Sequence, residues 1–389
     1  MSDLHSFESE LNELREKGLA RSFAPADPNI LNLSSNDYLG LSTHPAVIEA
    51  AAEALRKFGT GGTSSRLLAG TMDAHLALES ALAAFLGKEG ALVFSSGYHA
   101  NTGLIPALAG ASDFIAFDRL SHASIIDGVR LSGATFAAFH HNDPNHLDDV
   151  LAKRRPGRRR AIVISEGIFS MDGDRSKVAE ISAVARRHDA LVYLDEAHSI
   201  GSIGPDGKGA AFEAGVADQI DVHVGTLSKA LASQGGFVAA KKILIDLFTT
   251  KCRSFLFTTA LAPASAAAAH AALGLLPSVE DRRRRVQEDA ADIRRAVAEL
   301  GFDTLTSDSQ IVLVWAGSVD ATRALSRHLL SKGFFVPSIR PPTVPAGEGR
   351  VRLSITFRDD RRWLNQLTRA FADHTERPRR SGERVVQAG

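Results

Sequence analysis

The sequence contains little cysteine and no excess of either charge. Cys252 is the single cysteine among 389 residues, so no intramolecular disulfide can form, and we expect a reducing compartment such as the cytoplasm. The 45 basic residues equal the 45 acidic ones in number, which leaves no net field to hold a polyanion at long range. We therefore expect no nucleic-acid partner, and we interpret the arginine-rich stretches 154–160 and 282–285 as solvated helix ends and turns.

We also expect no secretory signal and no membrane-spanning segment. Residues 1–10 are polar and acidic, without the basic and apolar segments of a signal peptide. The most apolar stretch, residues 261–276, is rich in alanine and contains Pro263 and His270, which favours a buried helix over a membrane span. We therefore expect no membrane partner.

Seven short apolar runs recur between Ala91 and Ala240, most of them without strict polar alternation. In chain order they read ALVF, FIAF, ATFAAF, AIVISE, ALVYLDEAH, DVHVGT and GGFVAA. Such runs are typical of strands buried on both faces, and helical patterns such as residues 177–188 separate several of them. The sequence therefore predicts an α/β fold with a mostly parallel seven-stranded sheet flanked by helices, joined by right-handed crossovers.

The pattern changes after about residue 262, where a smaller α+β domain is predicted. Its strand-like segments are at 310–315, 333–337 and 350–356. We accordingly expect four regions, which are an N-terminal arm with an amphipathic helix at 1–35, a large domain at 36–262, a small domain at 263–376 and a disordered tail at 377–389.

Several chemically active side chains follow the apolar runs of the large domain. Ligands of parallel sheets bind at the carboxyl ends of the strands. We therefore expect Glu166, Asp195, His198, Thr226 and Lys229 to share one edge of the sheet. Lys229 lies in a loop of small and hydroxyl-bearing residues, which is typical of a Schiff-base lysine. The alternative is an ordinary surface lysine in a loop rich in glycine and serine.

The residues along this edge could bind an aldehyde cofactor that carries a phosphate and a pyridine ring. Residues 95–101 read as a strand end turning into a helix, whose free amides suit a phosphate, and Thr226 offers a second phosphate contact. Asp195 could keep the ring nitrogen protonated, His198 could reach the ring hydroxyl, and His122 could stack on the ring. Each signal alone is weak, because a strand-end aspartate is as often a helix cap and a lone histidine is usually structural. The order of the motifs favours the cofactor.

Five motifs together resemble the pyridoxal 5′-phosphate (PLP)-dependent α-oxoamine synthases, which have the fold type I of PLP-dependent transferases. They are residues 33–40 (LSSNDYLG), 165–174 (SEGIFSMDGD), 194–198 (LDEAH), 225–229 (GTLSK) and 339–345 (IRPPTVP). The resemblance spans Ser34 to Asp373. It implies PLP as the cofactor, an amino acid and an acyl thioester as substrates, a decarboxylative condensation, and a homodimer with its active sites at the interface.

The resemblance also implies roles for individual residues. Lys229 would join PLP covalently and act catalytically with His122 and Asp195. The implied cofactor contacts are Gly97, Tyr98, His122, Glu166, Ser170, Asp195, His198, Thr226 and Lys229, with Thr258 or Thr259 reaching the phosphate of the other subunit. The implied substrate contacts are Arg21, Asn36, His122, Thr343 and Arg352. The segment between Arg21 and Leu31 is shorter than is usual in the family.

Some alternatives stay open at this point. The resemblance does not fix the choice among alanine, glycine and serine, or the acyl chain and its carrier. A histidine-rich segment at 140–146 could suggest a metal site, but its pattern favours a hydrogen-bonded turn, and we expect no metal. We interpret Cys252 as a packed thiol rather than a nucleophile. A cofactor-binding regulatory module is the alternative from another functional class, and no helix-turn-helix pattern supports it.

Overall fold

The structure is a computed structural model that describes residues 4–21 and 27–378. The predicted disordered tail beyond Pro378 and most of the shortened segment after Arg21 lie outside the described residues. Among the described residues, no helix is both long enough and apolar enough to cross a bilayer.

Helices and strands alternate along most of the chain. The strands are β1 (Leu31–Asn32), β2 (Gly90–Phe94), β3 (Phe114–Asp118), β4 (Thr135–Phe139), β5 (Ala161–Glu166), β6 (Ala190–Asp195), β7 (Val222–Thr226), β8 (Gly236–Ala240), β9 (Ile311–Gly317), β10 (Phe334–Phe335), β11 (Ser338–Ile339) and β12 (Gly349–Ser354). The α-helices are α1 (Leu4–Glu16), α2 (Pro45–Phe58), α3 (Asp73–Leu86), α4 (Gly97–Leu108), α5 (Ala123–Ser132), α6 (Pro144–Arg154), α7 (Val178–Arg187), α8 (Ala210–Glu213), α9 (Lys242–Lys251), α10 (Arg253–Leu256), α11 (Pro263–Leu275), α12 (Glu280–Glu299), α13 (Val319–Ser331) and α14 (Arg362–Ala372).

The larger of two compact units comprises residues 36–170 and 174–286 and is built on a seven-stranded sheet. The strand order is β2-β8-β7-β6-β5-β3-β4, and only β8 runs antiparallel to its neighbours. The predicted α/β fold with a mostly parallel seven-stranded sheet is therefore confirmed. Strands β3, β5, β7 and β8 are buried along their whole length, which explains their lack of polar alternation.

Two hydrophobic clusters cover the two faces of this sheet. Adjacent residues of β8 belong to different clusters, because successive side chains of a strand point to opposite faces. Phe237 packs in the cluster that contains Leu78 of α3 and Ala269 of α11, whereas Val238 packs in the cluster that contains Leu104 of α4. The sheet is thus enclosed between helical layers, and its carboxyl edge is left for the connecting loops.

The smaller unit comprises the described residues within 1–35, 171–173 and 287–389. Its sheet has the order β11-β12-β9 and is antiparallel, and β1 pairs in parallel with β10. The division differs from the predicted boundary after residue 262, since residues 263–286 group with the larger unit. The reason is that α11 packs against α2 and α3 and buries alanine side chains such as Ala269.

Candidate active site

The ends of three neighbouring parallel strands form the floor of the candidate site. Glu166 ends β5, Asp195 ends β6 and Thr226 ends β7, and Glu166 lies directly opposite Asp195 in the strand register. Lys229 follows three residues after the end of β7. The order of these strands in the sheet therefore brings the predicted residues to one edge, as expected for parallel strands.

A cavity opens above this edge and collects most of the predicted cofactor residues. It is lined by Ser96, Gly97, Tyr98, Asn101, His122, Ser124, Glu166, Asp195, Ala197, His198, Gly225, Thr226, Ser228 and Lys229. Eight of the predicted cofactor contacts are among them, namely Gly97, Tyr98, His122, Glu166, Asp195, His198, Thr226 and Lys229.

Hydrogen-bond donors gather at one end of the cavity, where α4 begins. Ser96 caps the helix by accepting the backbone N–H of His99 at 3.1 Å, while the amides of Gly97 and Tyr98 have no acceptor within the helix. A Cβ atom at Gly236 would lie 2.6 Å from the N and Cα atoms of Gly97, so a glycine at that position permits the close approach of this helix end. A helix N-terminus with free amides suits a phosphate.

Two hydroxyl groups extend this donor-rich end towards Lys229. The Thr226 hydroxyl donates to the carbonyl of Gly235 at 2.9 Å and lies 2.7 Å from the hydroxyl of Ser228. Ser228 was not among the predicted cofactor contacts, although it is one of the hydroxyl-bearing residues that flank the lysine in the sequence. The group of amides, hydroxyls and one lysine fits an anionic phosphate and an aldehyde.

The carboxylate of Asp195 is buried and held from two sides. Its Oδ2 accepts an N–H of the Asn101 side chain at 2.7 Å, and its Oδ1 accepts the backbone N–H of Ala197 at 2.9 Å. These two contacts fix the orientation of the carboxyl group. Asn101 was missed by sequence reasoning. Its position four residues after Gly97, on the same face of α4, is the signal that could have found it.

A buried tyrosine, Tyr38, forms a hydrogen bond with His198. The hydroxyl of Tyr38 lies 2.7 Å from Nδ1 of His198 and donates to Oδ1 of Asn36 at 3.1 Å. Tyr38 is completely buried. The structure thus connects the predicted substrate residue Asn36 to the predicted cofactor residue His198 through a tyrosine that the prediction omitted.

His122 and Glu166 meet at the floor of the cavity. The backbone N–H of His122 donates to Oε1 of Glu166 at 2.5 Å. Burial, and next the charge of Asp195, raise the pKa of the Glu166 carboxyl well above its usual value. Burial and the nearby charge of Lys229 lower the pKa of the His122 imidazole, although the charge of Asp195 opposes them. Both side chains therefore favour their neutral forms.

The raised pKa of Glu166 leads to a prediction. The substitution Glu166→Gln should leave PLP affinity and the free energy of unfolding at neutral pH close to wild-type values, because an amide has the shape of a protonated carboxyl and can still accept the His122 N–H. Spectral titration with PLP and urea unfolding would measure the two quantities.

The matched control for Glu166 is Glu79, another buried glutamate. Its carboxylate forms two hydrogen bonds with the guanidinium of Arg66, at 2.7 and 2.9 Å. The substitution Glu79→Gln removes the charge from this buried ion pair and should lower the free energy of unfolding. A loss of stability as large in Glu166→Gln as in Glu79→Gln would show that Glu166 is ionised in the folded protein.

Three other predicted cofactor residues do not line this cavity. Ser170 is buried in the loop after β5 but is absent from the cavity wall. Thr258 and Thr259 line a separate small recess together with Arg66 and Ser254. Their predicted contacts with the cofactor therefore remain predictions.

The other predicted substrate residues belong to the smaller unit. Within it, the guanidinium of Arg21 donates to the hydroxyl of Thr343 at 3.3 Å. Arg352 is buried on β12, where its guanidinium donates to the hydroxyl of Ser354 at 2.7 Å. Their roles in substrate binding stay predictions.

The histidine-rich segment 140–146 forms a hydrogen-bonded turn at 140–143, where the Asp143 N–H donates to the His140 carbonyl at 3.1 Å, and then enters α6. His141 lies between two carboxylates, with Nδ1 3.0 Å from Asp118 and Nε2 2.9 Å from Asp174. Among the described residues, no group of three or more histidine, cysteine, aspartate or glutamate side chains has an arrangement that could hold a metal ion. The turn connects the loop that carries His122 to the loop that carries Ser170.

Comparison with known proteins gives consistent results. The family model "Aminotransferase class I and II" matches residues 28–365. The chain is 44% identical over 380 residues to the 8-amino-7-oxononanoate synthase of Geobacter sulfurreducens, which covers 94% of this chain and 97% of that protein.

Solved structures with the same fold include those of two different enzymes. A structure of serine palmitoyltransferase (SPT) with the PLP internal aldimine superposes with a TM-score of 0.89 at 35% identity, covering 96% of this chain and 98% of that chain. The 8-amino-7-oxononanoate synthase of Francisella tularensis superposes with a TM-score of 0.76 at 25% identity, covering 88% of this chain and 96% of that chain.

Proposed function

Because the chain belongs to the class I and II aminotransferase family and, within it, to the PLP-dependent α-oxoamine synthases, we propose that it condenses L-alanine with a pimeloyl thioester. The products are 8-amino-7-oxononanoate, carbon dioxide and free coenzyme A or carrier protein, and the reaction belongs to biotin biosynthesis. The observation that carries the proposal is one cavity that combines Lys229, Asp195 and the N-terminus of α4. The 44% identity to a protein named for this product supports the choice of reaction.

The cavity residues fit PLP at both of its polar ends. The amides of Gly97 and Tyr98 and the hydroxyl of Ser228 would hold the phosphate, and Asp195 would pair with the pyridine nitrogen. Bound PLP supplies an electron-accepting ring that stabilises negative charge on the α-carbon of an amino acid. Asp195 is suited to this pairing because the Asn101 side chain and the backbone N–H of Ala197 hold its carboxyl group at the cavity wall.

Lys229 would serve in two ways. Its amine would hold the cofactor covalently, and the same amine would accept the α-proton of alanine. His122, at the wall of the cavity, would orient the substrate and exclude water from this proton transfer. The homodimer and the cytoplasmic location that we predict from the sequence are part of this proposal.

Product analysis with the purified protein would test the function. We expect the PLP-loaded enzyme to convert L-alanine and pimeloyl-CoA to 8-amino-7-oxononanoate, with one carbon dioxide released per product. Replacing alanine by glycine removes one methyl group, which is worth about 1–3 kcal/mol in a fitted pocket, so glycine should react roughly 10- to 200-fold less efficiently. The measurement is kcat/KM for each amino acid by mass spectrometry of the product.

The second candidate is serine palmitoyltransferase, because a structure of that enzyme superposes with the higher TM-score. The same assay with L-serine and palmitoyl-CoA separates the two. A higher kcat/KM for serine with the long acyl chain than for alanine with the pimeloyl chain would overturn the leading proposal in favour of this one. Turnover with pimeloyl-carrier protein and not with pimeloyl-CoA would identify the acyl carrier.

A further inference from the structure

A buried chain of hydrogen bonds joins the carboxylate of Asp195 to the imidazole of His122. It begins at Tyr193, passes through the amide of Asn101 and divides there, with one branch to Asp195 and the other to Ser124 and His122. Asn101 and Ser124 both line the cavity, and both are buried. The proposed function assigns neither of them a role.

The partners of Asn101 fix the orientation of its amide. The hydroxyl of Tyr193 lies 2.5 Å from Oδ1 of Asn101. Burial, and next the charge of Asp195, raise the pKa of this phenol well above its usual value, so it is neutral and donates. The opposite orientation would place Oδ1 2.7 Å from an oxygen of Asp195, with no proton between two acceptors. Both N–H groups of the amide therefore donate, one to Asp195 and the other to the hydroxyl of Ser124 at 2.9 Å.

The assignment of donors and acceptors also fixes the tautomer of His122. Because the Ser124 oxygen already accepts from Asn101, its own proton is available for Nδ1 of His122, 2.8 Å away. The backbone N–H of Ser124 also donates to this nitrogen, at 3.3 Å. A ring nitrogen that receives donors must present its lone pair, so Nδ1 is unprotonated and the neutral ring carries its proton on Nε2.

We propose that Asn101 and Ser124 are positioning residues of the active site. Asn101 orients the carboxyl group of Asp195 as the partner for the pyridine nitrogen and, through Ser124, keeps His122 as a neutral Nε2–H donor. The inference rests on the proposed function, because it assigns both residues to a PLP-binding cavity. Asn101 thereby positions two groups of the cavity, which are the carboxyl group of Asp195 and, through Ser124, the imidazole of His122.

The tautomer can be measured without the cofactor. Nitrogen NMR of the histidine-labelled apo-protein would show the protonation state of each ring nitrogen, and the His122→Gln variant would assign its signals. We expect an unprotonated Nδ1 in the wild type and a mixture of tautomers in Ser124→Ala, which loses the hydroxyl donor. A protonated Nδ1 in the wild type, or an unchanged tautomer in Ser124→Ala, would overturn the proposal.

Ser121 provides the matched control for this substitution. It lies in the same loop, one residue before His122, and within the described part of the chain its buried hydroxyl has no hydrogen-bond partner. Ser121→Ala should therefore leave the tautomer of His122 unchanged. A change as large as that in Ser124→Ala would mean that loop packing, rather than the Ser124 hydroxyl, sets the tautomer.

PLP binding tests the branch to Asp195. Asn101→Asp places a second carboxyl group against that of Asp195, and the two must share a proton. We expect PLP affinity to fall by about 10- to 100-fold, with a changed visible absorption spectrum of bound PLP, because the shared proton reduces the negative charge that Asp195 offers to the pyridine nitrogen. Ser124→Ala keeps the bond between Asn101 and Asp195 and should lose less affinity. Wild-type affinity and spectrum in Asn101→Asp would refute the role of Asn101.

The tautomer of His122 and the PLP affinity can be measured whether or not the proposed reaction is correct. A wild-type protein with the Nε2–H tautomer and tight PLP binding that forms no 8-amino-7-oxononanoate would refute the proposed reaction and support the inference. If Asn101→Asp does not fold, the tautomers of the wild type and of Ser124→Ala decide the question alone.

Discussion

Replacing Lys229 with alanine is expected to abolish covalent retention of PLP and to lower the condensation rate by roughly 10²- to 10⁴-fold from the loss of the base alone. Lys229 is the one lysine among the described residues that line the cavity, so no neighbouring amine is in place to replace it. The loss should appear in kcat, because the proton transfer requires the amine in the transition state.

Borohydride reduction provides the direct measurement. It should fix PLP to the peptide containing Lys229 in the wild type and leave no label in Lys229→Ala. The control is Lys251→Ala, which changes an exposed lysine at the end of α9 and should be labelled and active as in the wild type. A small primary amine in the buffer should restore part of the activity of Lys229→Ala. Label on another lysine of the wild-type protein would contradict the assignment.

Replacing His141 with glutamine is expected to lower the free energy of unfolding at neutral pH by about 3–5 kcal/mol, because it leaves two buried carboxylates without their shared cation. The side chains of Asp118 and Asp174 are 0% and 11% exposed, and both ring nitrogens of His141 face a carboxylate oxygen. Burial alone would lower the pKa of His141, but the hydrogen bonds and charges of Asp118 and Asp174 outweigh it and raise the pKa to about 10.

The raised pKa of His141 determines how its contribution depends on pH. The folded value of about 10 exceeds the ordinary value of 6.5, so the folded state binds the proton more tightly than the unfolded chain. The stabilisation is therefore fully present below about pH 6.5 and is lost as the pH rises through about 10. Urea unfolding of the wild type and His141→Gln across this range should show a difference that shrinks steadily with rising pH.

The neighbouring His140 offers a control for the same substitution. Its side chain is 60% exposed, so His140→Gln should change the free energy of unfolding by no more than about 0.5 kcal/mol at any of these pH values. If the difference between the wild type and His141→Gln stayed constant from about pH 6.5 to about pH 10, His141 would not be the group that titrates.

Patterns local to the chain were sufficient to predict the elements. The apolar runs without polar alternation predicted the seven strands of the large sheet, because a strand covered on both faces contains few polar residues. The amphipathic pattern at the N-terminus likewise predicted a helix within residues 1–35, where α1 lies. The edge that carries Glu166, Asp195 and Lys229 followed from parallel strands alone.

Side-chain partners, in contrast, were decided only by the tertiary structure. Asn101 is 94 residues from Asp195 in the sequence, and no local pattern connects them. The guanidinium of Arg66 donates two hydrogen bonds to the carboxylate of Glu79 on α3, a buried pair that no sequence motif indicated. The segment after residue 262 was predicted to begin a new domain, but α11 belongs to the larger unit.

The physical reason is the range over which each signal acts. Backbone periodicity and turn chemistry depend on residues within one or two turns of the chain, so the sequence by itself determined the α/β class, the strands and the placement of Lys229. A hydrogen-bond partner depends on which strands become neighbours and which helix end approaches them. The folded chain alone therefore decided the couplings among Asn101, Ser124, Asp195 and His122.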